Sequence, residues 1–280
     1  MKFARGRSGL LLLLLGLTPA LAAAQRPAVI LSTTTSTQDS GLLDLLVPLF
    51  EKKTAYTVKT IAVGTGQALA LAARGEADVT LAHAPELEKK YVAGGKLGNR
   101  RLVMYNDFVL AGPAEDPARV QGAGSAAAAM RRIAQSRSRF VSRGDGSGTH
   151  LREKDLWNAA GVERWGSWYV ESGQGMAATL GIAGDKRAYT LTDRATYLAF
   201  RNRFGLEILL ERDRALWNLY SVLEASPASG PRVNAAGGRA FADFLVSAEA
   251  QQLIRVFGAE KFGQPLFVPV AGRLEDEIGG

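Results

Sequence analysis

The feature that most narrows the fold is a strand-to-helix alternation repeated three times before residue 96. Three β-rich runs occur, AVILS (28–32), YTVKTIAV (56–63) and ADVTLAHA (77–84). Each is followed by a segment whose apolar residues recur at helical spacing. These segments are DSGLLDLLVPLFEKKT (39–54), GQALALAARGE (66–76) and PELEKKYVAGG (85–95). Asp39 or Ser40 can N-cap the first, and Pro48 should kink or interrupt it. Pro85 opens the third and glycines close it. Such alternation builds an open parallel sheet with helices on its faces.

The pattern then recurs in a second half. RRLVMYNDFVLAGP (100–113) is a long β-rich run ending in Gly-Pro, placed to cross from one half to the other. SAAAAMRRIAQS (125–136) reads as helix, RFVS (139–142) as strand, and LREKDLWNAAG opens another helix. SWYVES (167–172), GMAATLGIAGD (175–185) and AYTLTD (188–193) continue as strand, helix, strand. LWNLYSVLEASP (216–227) is a second β-rich run, read as the return crossing. Residues 234–258 form one long helical region that completes the first half. The expected fold is α/β with two lobes, two crossover strands and a cleft between the lobes. Lobe 1 is expected at 25–111 and 225–280, and lobe 2 at 112–224.

Composition bounds the function. There is no cysteine, which excludes disulfides, thiolate metal sites, thiol catalysis and a lipid-anchored N-terminal Cys. Residues 1–24 carry Lys2, Arg5 and Arg7, then an apolar run and an Ala-x-Ala pattern at Ala22 and Ala24. They read as a secretory signal peptide, with the mature chain starting near Gln25 in the periplasm. The formal charge is +7, from 34 basic and 27 acidic residues. Without the three basic residues of the signal, 31 basic residues remain. They are scattered, so the charge reads as a mild bias toward anions and no nucleic-acid partner is expected.

Three turns hold the chemistry: STTTSTQDSG (32–41), VGTGQA (63–68) and SRGDGSGTH (142–150). Each lies between a strand and a helix. In open α/β sheets ligands bind at the carboxyl ends of strands. A helix beginning leaves N–H groups without partners and carries partial positive charge, which favours anions. Glycines let the backbone approach closely, hydroxyls add neutral donors, and Arg143 adds a fixed charge. This donor set suits a small tetrahedral oxyanion. Plain N-caps and loop turns also use these residue types.

Other motifs fail on inspection. VGTGQAL has Leu69 where a dinucleotide-binding fingerprint needs Gly, and GDGSGTH is no nucleophile elbow. His83 and His150 are the only histidines and have no metal-ligand company, so neither metal nor cofactor is expected. His83 reads as a packed or rim residue. Asp145 orients Arg143 or caps the following helix. ESGQGM (171–176) reads equally as a fourth ligand-facing turn or an ordinary one, and the Trp pair of WGSW (165–168) reads as core.

Taken together, TTTSTQDSGLLDLLVPLFEKKT, VGTGQALALAARGEADVTLAHAPELEKKYV, NRRLVMYNDFVLAGPAEDPA and FVSRGDGSGTHLREKDLW closely resemble the tungstate-binding proteins of bacterial tungstate ABC transporters, within the type II periplasmic binding proteins. The resemblance implies capture of tungstate between two lobes and delivery to a membrane permease, with no catalysis and a monomeric, soluble protein. It implies ligand contacts at Thr34, Thr35 and Ser36, at Thr65 and Gly66, and at Arg143, Ser147, Gly148 and Thr149. Molybdate is nearly the same size, and Asp145 could accept the proton of phosphate. Molybdate, phosphate or sulfate therefore stay open as ligands, as does an exported anion-processing enzyme.

Overall fold

The computed structural model describes residues 26–163 and 166–278. The expected signal peptide (1–24) and Trp165 lie outside the described residues.

The first lobe is built on the three repeats. They run β1 (Ala28–Thr34), α1 (Thr35–Asp39), α2 (Leu42–Lys53), β2 (Thr57–Val63), α3 (Thr65–Ala73), β3 (Val79–Ala82) and α4 (Pro85–Ala93). Strands β2 and β3 flank β1, both parallel to it. The chain then leaves along β4 (Leu97–Pro113), a strand of 17 residues. The second lobe follows as α5 (Ala126–Gln135), β5 (Phe140–Ser142), α6 (Gly148–Ala160), β6 (Tyr169–Glu171) and α7 (Met176–Asp185). It ends with β7 (Thr190–Asp193), α8 (Arg194–Phe200) and β8 (Leu206–Leu210). The chain returns along β9 (Trp217–Ala225). It finishes with α9 (Ala235–Leu245), α10 (Ala248–Val256), α11 (Ala259–Phe262) and β10 (Val268–Pro269).

Strand β4 belongs to both lobes. Its residues 97–107 pair antiparallel with β9, while Phe108–Pro113 pair with β7 and β8. The first sheet therefore runs β2–β1–β3–β9–β4–β10. In the second lobe β5 pairs parallel with β6 and bridges to Tyr189 just before β7. The pairing changes partner between Asp107 and Phe108 going out and before Trp217 coming back. The sequence reading set these points at 111/112 and 224/225. An Arg194 guanidinium ties the two crossings together: its Nε lies 2.6 Å from Asp107 Oδ1, and its Nη2 lies 2.6 Å from Glu211 Oε2.

Helix α2 shows how pattern becomes packing. Leu42, Leu43, Leu46 and Phe50 fall on one face and are buried against the sheet. Lys52 and Lys53 close it, where the helix dipole favours cations. Pro48 neither stops nor replaces this helix. It sits on the exposed face, where the carbonyl it leaves unpaired can meet water. The helix start differs from expectation. Gly41 takes a left-handed conformation (φ +80) and α2 begins at Leu42, so Asp39 and Ser40 are not its cap. Residues 35–39 instead coil into a helical turn of their own, capped by Thr34. The region 234–258 likewise divides in two, because Ser247 stops α9 and caps α10 through Ala250 N–H.

Two junctions lock the first lobe. Asp78 is buried and accepts from Ile30 N–H and Asn234 N–H, both at 2.7 Å. It joins β1, β3 and the start of α9. Gly238 lets α9 lie against this junction: a Cβ there would come 2.5 Å from the Asp78 carbonyl oxygen. In the second lobe the core gathers Phe108, Leu110, Met130, Ile133, Phe140 and Trp157. Trp168 joins it edge-on to Trp157 at 5.6 Å, as its half of the Trp pair was read.

Candidate functional site

The cavity between the lobes is assembled from three helix beginnings. Strand β1 delivers Thr34, Thr35 and Ser36; β2 delivers Val63, Gly64 and Thr65; β5 leads to Arg143, Ser147, Gly148 and Thr149. With His83 from the end of β3, these residues line a cavity of about 10 Å³, room for one water-sized sphere. The sequence determines this locally. Strands β1 and β5 are buried to their last residue and β2 ends on half-buried Ile61–Val63, and small or hydroxylated residues at each turn start a helix there.

Helix α1 is capped by Thr34, whose Oγ1 accepts from Thr37 N–H at 3.2 Å. Thr34 Oγ1 also lies 2.6 Å from Thr37 Oγ1 and 3.1 Å from Ser36 Oγ. Helix α3 starts behind Gly64, which supplies no side-chain cap, so its first N–H groups keep their capacity to donate. Helix α6 is capped by Ser147 through His150 N–H at 3.4 Å. Gly144 (φ +63) and Gly146 (φ +71) take left-handed conformations that fold this turn back on itself. Gly148 N–H donates to Thr65 Oγ1 at 3.2 Å, a direct bond from the second lobe to the first.

Arg143 is 4% exposed. Its guanidinium grips one oxygen of Asp145, with Nε at 3.1 Å and Nη2 also bonded to it. Asp145 Oδ1 accepts from Ser147 N–H at 3.1 Å. Burial pushes the Asp145 carboxyl upward, but hydrogen bonds from Ser147 and the Arg143 charge outweigh burial and hold it below the usual carboxylate range. The carboxylate therefore serves both readings in part: it orients Arg143 and receives a local N–H, while the cap itself is Ser147. The Arg143–Asp145 pair is close to neutral as a unit. Charge on a bound anion would be balanced largely by backbone dipoles and hydroxyls.

Eight of the nine expected site residues line this one cavity: Thr34, Thr35, Ser36, Thr65, Arg143, Ser147, Gly148 and Thr149. Gly66 does not. It lines the adjoining opening with Gln67, Asp145, Gly173, Gln174 and Gly175, which also places the ESGQGM turn beside the site. Gly66 is the second residue of α3, so its N–H runs along the helix beginning, one step away from the wall that Thr65 forms.

His83, expected as a packed or rim residue, is outside the expected ligand set. It is buried and packed, with its ring 4.8 Å from that of Tyr220, and it also forms part of the cavity wall. Burial pushes its pKa down to about 4, against the opposing hydrogen bond of Asn218, so it is neutral at pH 7. Its position at the carboxyl end of β3, level with the two other strand ends, was the available signal.

These donor turns, on matching strand ends of a two-lobed sheet, agree with the comparisons to known proteins. A family model described as a PBP superfamily domain matches residues 21–249. The chain belongs to that superfamily. Within it, a tungstate-binding protein TupA from Peptoclostridium acidaminophilum is 45% identical over 88% of this chain and 87% of its own. The chain therefore also belongs to the TupA family. A solved structure of a tungstate-binding TupA from Desulfovibrio alaskensis G20 has a TM-score of 0.77 at 42% identity, covering 88% of this chain and 99% of that one. A crystal structure described as the tungstate ABC transporter from Geobacter sulfurreducens has a TM-score of 0.75 at 47% identity. It covers 82% of this chain and 98% of its own. Members of the family with these names are solute-binding proteins.

Proposed function

We propose that the protein captures tungstate outside the cytoplasm and delivers it to the membrane permease of an ABC transporter. One observation carries the reading. A single small cavity is walled by hydroxyls, helix-start amides and one buried arginine, contributed by both lobes. The ligand thus touches both halves, which is the condition for it to favour the closed arrangement over an open one. Export through the segment 1–24, a monomeric state and binding without turnover complete the reading.

The donor set also bears on the choice of ligand. Tungstate and molybdate carry no proton at neutral pH and ask only for donors. Monohydrogen phosphate asks for an acceptor, and the carboxylate that could supply one, Asp145, is engaged by Arg143 and Ser147 and lines the adjoining opening. Tungstate over molybdate rests on the names of the relatives.

Calorimetry with tungstate, molybdate, sulfate and phosphate tests the reading, together with small-angle scattering before and after tungstate. Tight binding of tungstate with a decrease in radius of gyration is expected. Failure to bind tungstate, or phosphate bound more tightly than tungstate, would refute it.

A further inference from the structure

Behind the cavity wall lies a chain of buried amides. His83 Nδ1 is 2.8 Å from Asn218 Oδ1, although the two residues are 135 positions apart. Asn218 Nδ2 is in turn 2.8 Å from Asn106 Oδ1 and 3.1 Å from the Tyr220 hydroxyl. All four residues are buried. Within this network of four side chains, two polar atoms have no hydrogen-bond partner among the described residues: Asn106 Nδ2 and His83 Nε2.

The nitrogen and oxygen of an amide fill the same outline, so its orientation is settled by the hydrogen bonds it completes. With Asn218 Oδ1 toward His83, the neutral ring keeps its proton on Nδ1. Nε2 is then a bare, buried lone pair on a ring that forms part of an anion cavity's wall, and Asn106 keeps an unsatisfied N–H. Turning both amides through 180° preserves every short contact and reverses the direction of donation. Asn106 Nδ2 donates to Asn218 Oδ1, and so does the Tyr220 hydroxyl. Asn218 Nδ2 donates to His83 Nδ1, which moves the ring proton to Nε2. Each amide nitrogen then makes one bond, where before Asn218 made two and Asn106 none, and the atom left wholly without a partner is a carbonyl oxygen, which buried sites tolerate more readily than an orphaned N–H.

We propose that His83 is a ligand-binding residue of this site, an uncharged Nε2–H donor to the oxyanion whose tautomer is fixed by Asn218 and Asn106. The inference rests on the oxyanion reading above. It gives β3 a part in the site equal to that of β1 and β2. It also makes the wall a donor throughout, because an imidazole with Nδ1 occupied by an amide N–H has no lone pair left for a protonated anion. Gly148 permits the arrangement. A Cβ there would lie 2.6 Å from His83 Cε1, so only a bare backbone lets the ring reach the cavity in the closed molecule.

The tautomer is read directly by nitrogen NMR on the full protein with 15N-labelled histidine. The chain has two histidines, and loss of one set of signals in His83→Gln assigns them. In the tungstate complex a pyrrole-like Nε2 bearing a proton and a pyridine-like Nδ1 are expected. A proton on Nδ1, or on both nitrogens, would overturn the inference. In calorimetry, His83→Leu should weaken tungstate about tenfold to a hundredfold, the range for a hydrogen bond to a charged partner. His83→Gln, whose amide nitrogen can take the place of Nε2, should restore most of it. An unchanged affinity in folded His83→Leu would also overturn the inference. If the unaltered protein does not bind tungstate, the proposed function fails and takes this inference with it. Tungstate binding with an Nδ1 proton removes His83 alone.

Discussion

Gly148→Ala separates binding from folding. The added methyl carbon would sit 2.6 Å from His83 Cε1, 2.8 Å from His83 Nδ1 and 3.0 Å from Thr65 Oγ1, all on the opposite lobe. Carbon atoms rest at about 3.5–4.0 Å, so roughly 1 Å of separation is required. His83 cannot supply it, being held by Asn218 at one edge and packed against the tilted ring of Tyr220. The lobes must therefore part. Parting lengthens the 3.2 Å bond from Gly148 N–H to Thr65 beyond hydrogen-bond range. An overpacked contact costs about 1–3 kcal/mol. Tungstate binding should weaken by a factor of about 5 to 150, since every 1.4 kcal/mol is tenfold. The open form pays nothing, because position 148 is the first residue of α6 and its φ is not left-handed. Alanine is the better helix former there by up to about 1 kcal/mol. Calorimetry should show the loss while the ligand-free melting midpoint holds or rises. Scattering should show less compaction on adding tungstate. Unchanged affinity with full compaction would refute the claim that this contact limits closure.

Three further outcomes follow from particular groups. Arg143→Ala should weaken oxyanion binding by a factor of about 10 to 150, and Arg143→Lys should recover only part of it, since lysine cannot reproduce the guanidinium fork; calorimetry reads both. Asp78→Ala leaves the part-buried N–H groups of Ile30 and Asn234 without their partner, at about 1–3 kcal/mol each, and should lower the melting midpoint by about 5–15 °C without altering the site. His83 bears on acid stability. Its pKa is about 4 folded against about 6.5 unfolded, so only the unfolded chain gains this proton as pH drops below 6.5. Stability should therefore fall from pH 6.5 down to about 4, by at most about 3 kcal/mol, and His83→Gln should remove that part of the slope in denaturant titrations from pH 7 to 4.

The parts of the fold that were legible in the sequence were those set by local pattern. The three strand–helix repeats show it, as does the β-rich run 100–113. Residues 97–99 of the same strand were not legible: Leu-Gly-Asn has little strand preference, and β9 holds it in place by pairing. The helical turn 35–39 was hidden because a run of Thr and Ser reads as a loop until Thr34 caps it. LEILL (206–210), behind Gly205, carries a strand signal and forms β8. The site divides in the same way. The three turns stood out by residue type at strand ends, and the resemblance pointed within them to the eight residues that line the cavity. His83 carried the strand-end signal alone, and its hydrogen bond to Asn218, 135 positions away, is decided only by the folded sheet.

The 17-residue strand β4 has a mechanical consequence. It is a continuous rod running through both lobes, with β9 and the Glu211 segment beside it, and Arg194 clamps the two at the point where they pass between lobes. Sliding one lobe over the other would shear both strands and break that clamp, whereas a twist about the rod disturbs only the few residues near Phe108. The molecule is thus left with essentially one easy coordinate of motion. Entry and escape of the anion share that coordinate, so whatever stiffens the twist slows uptake and release together.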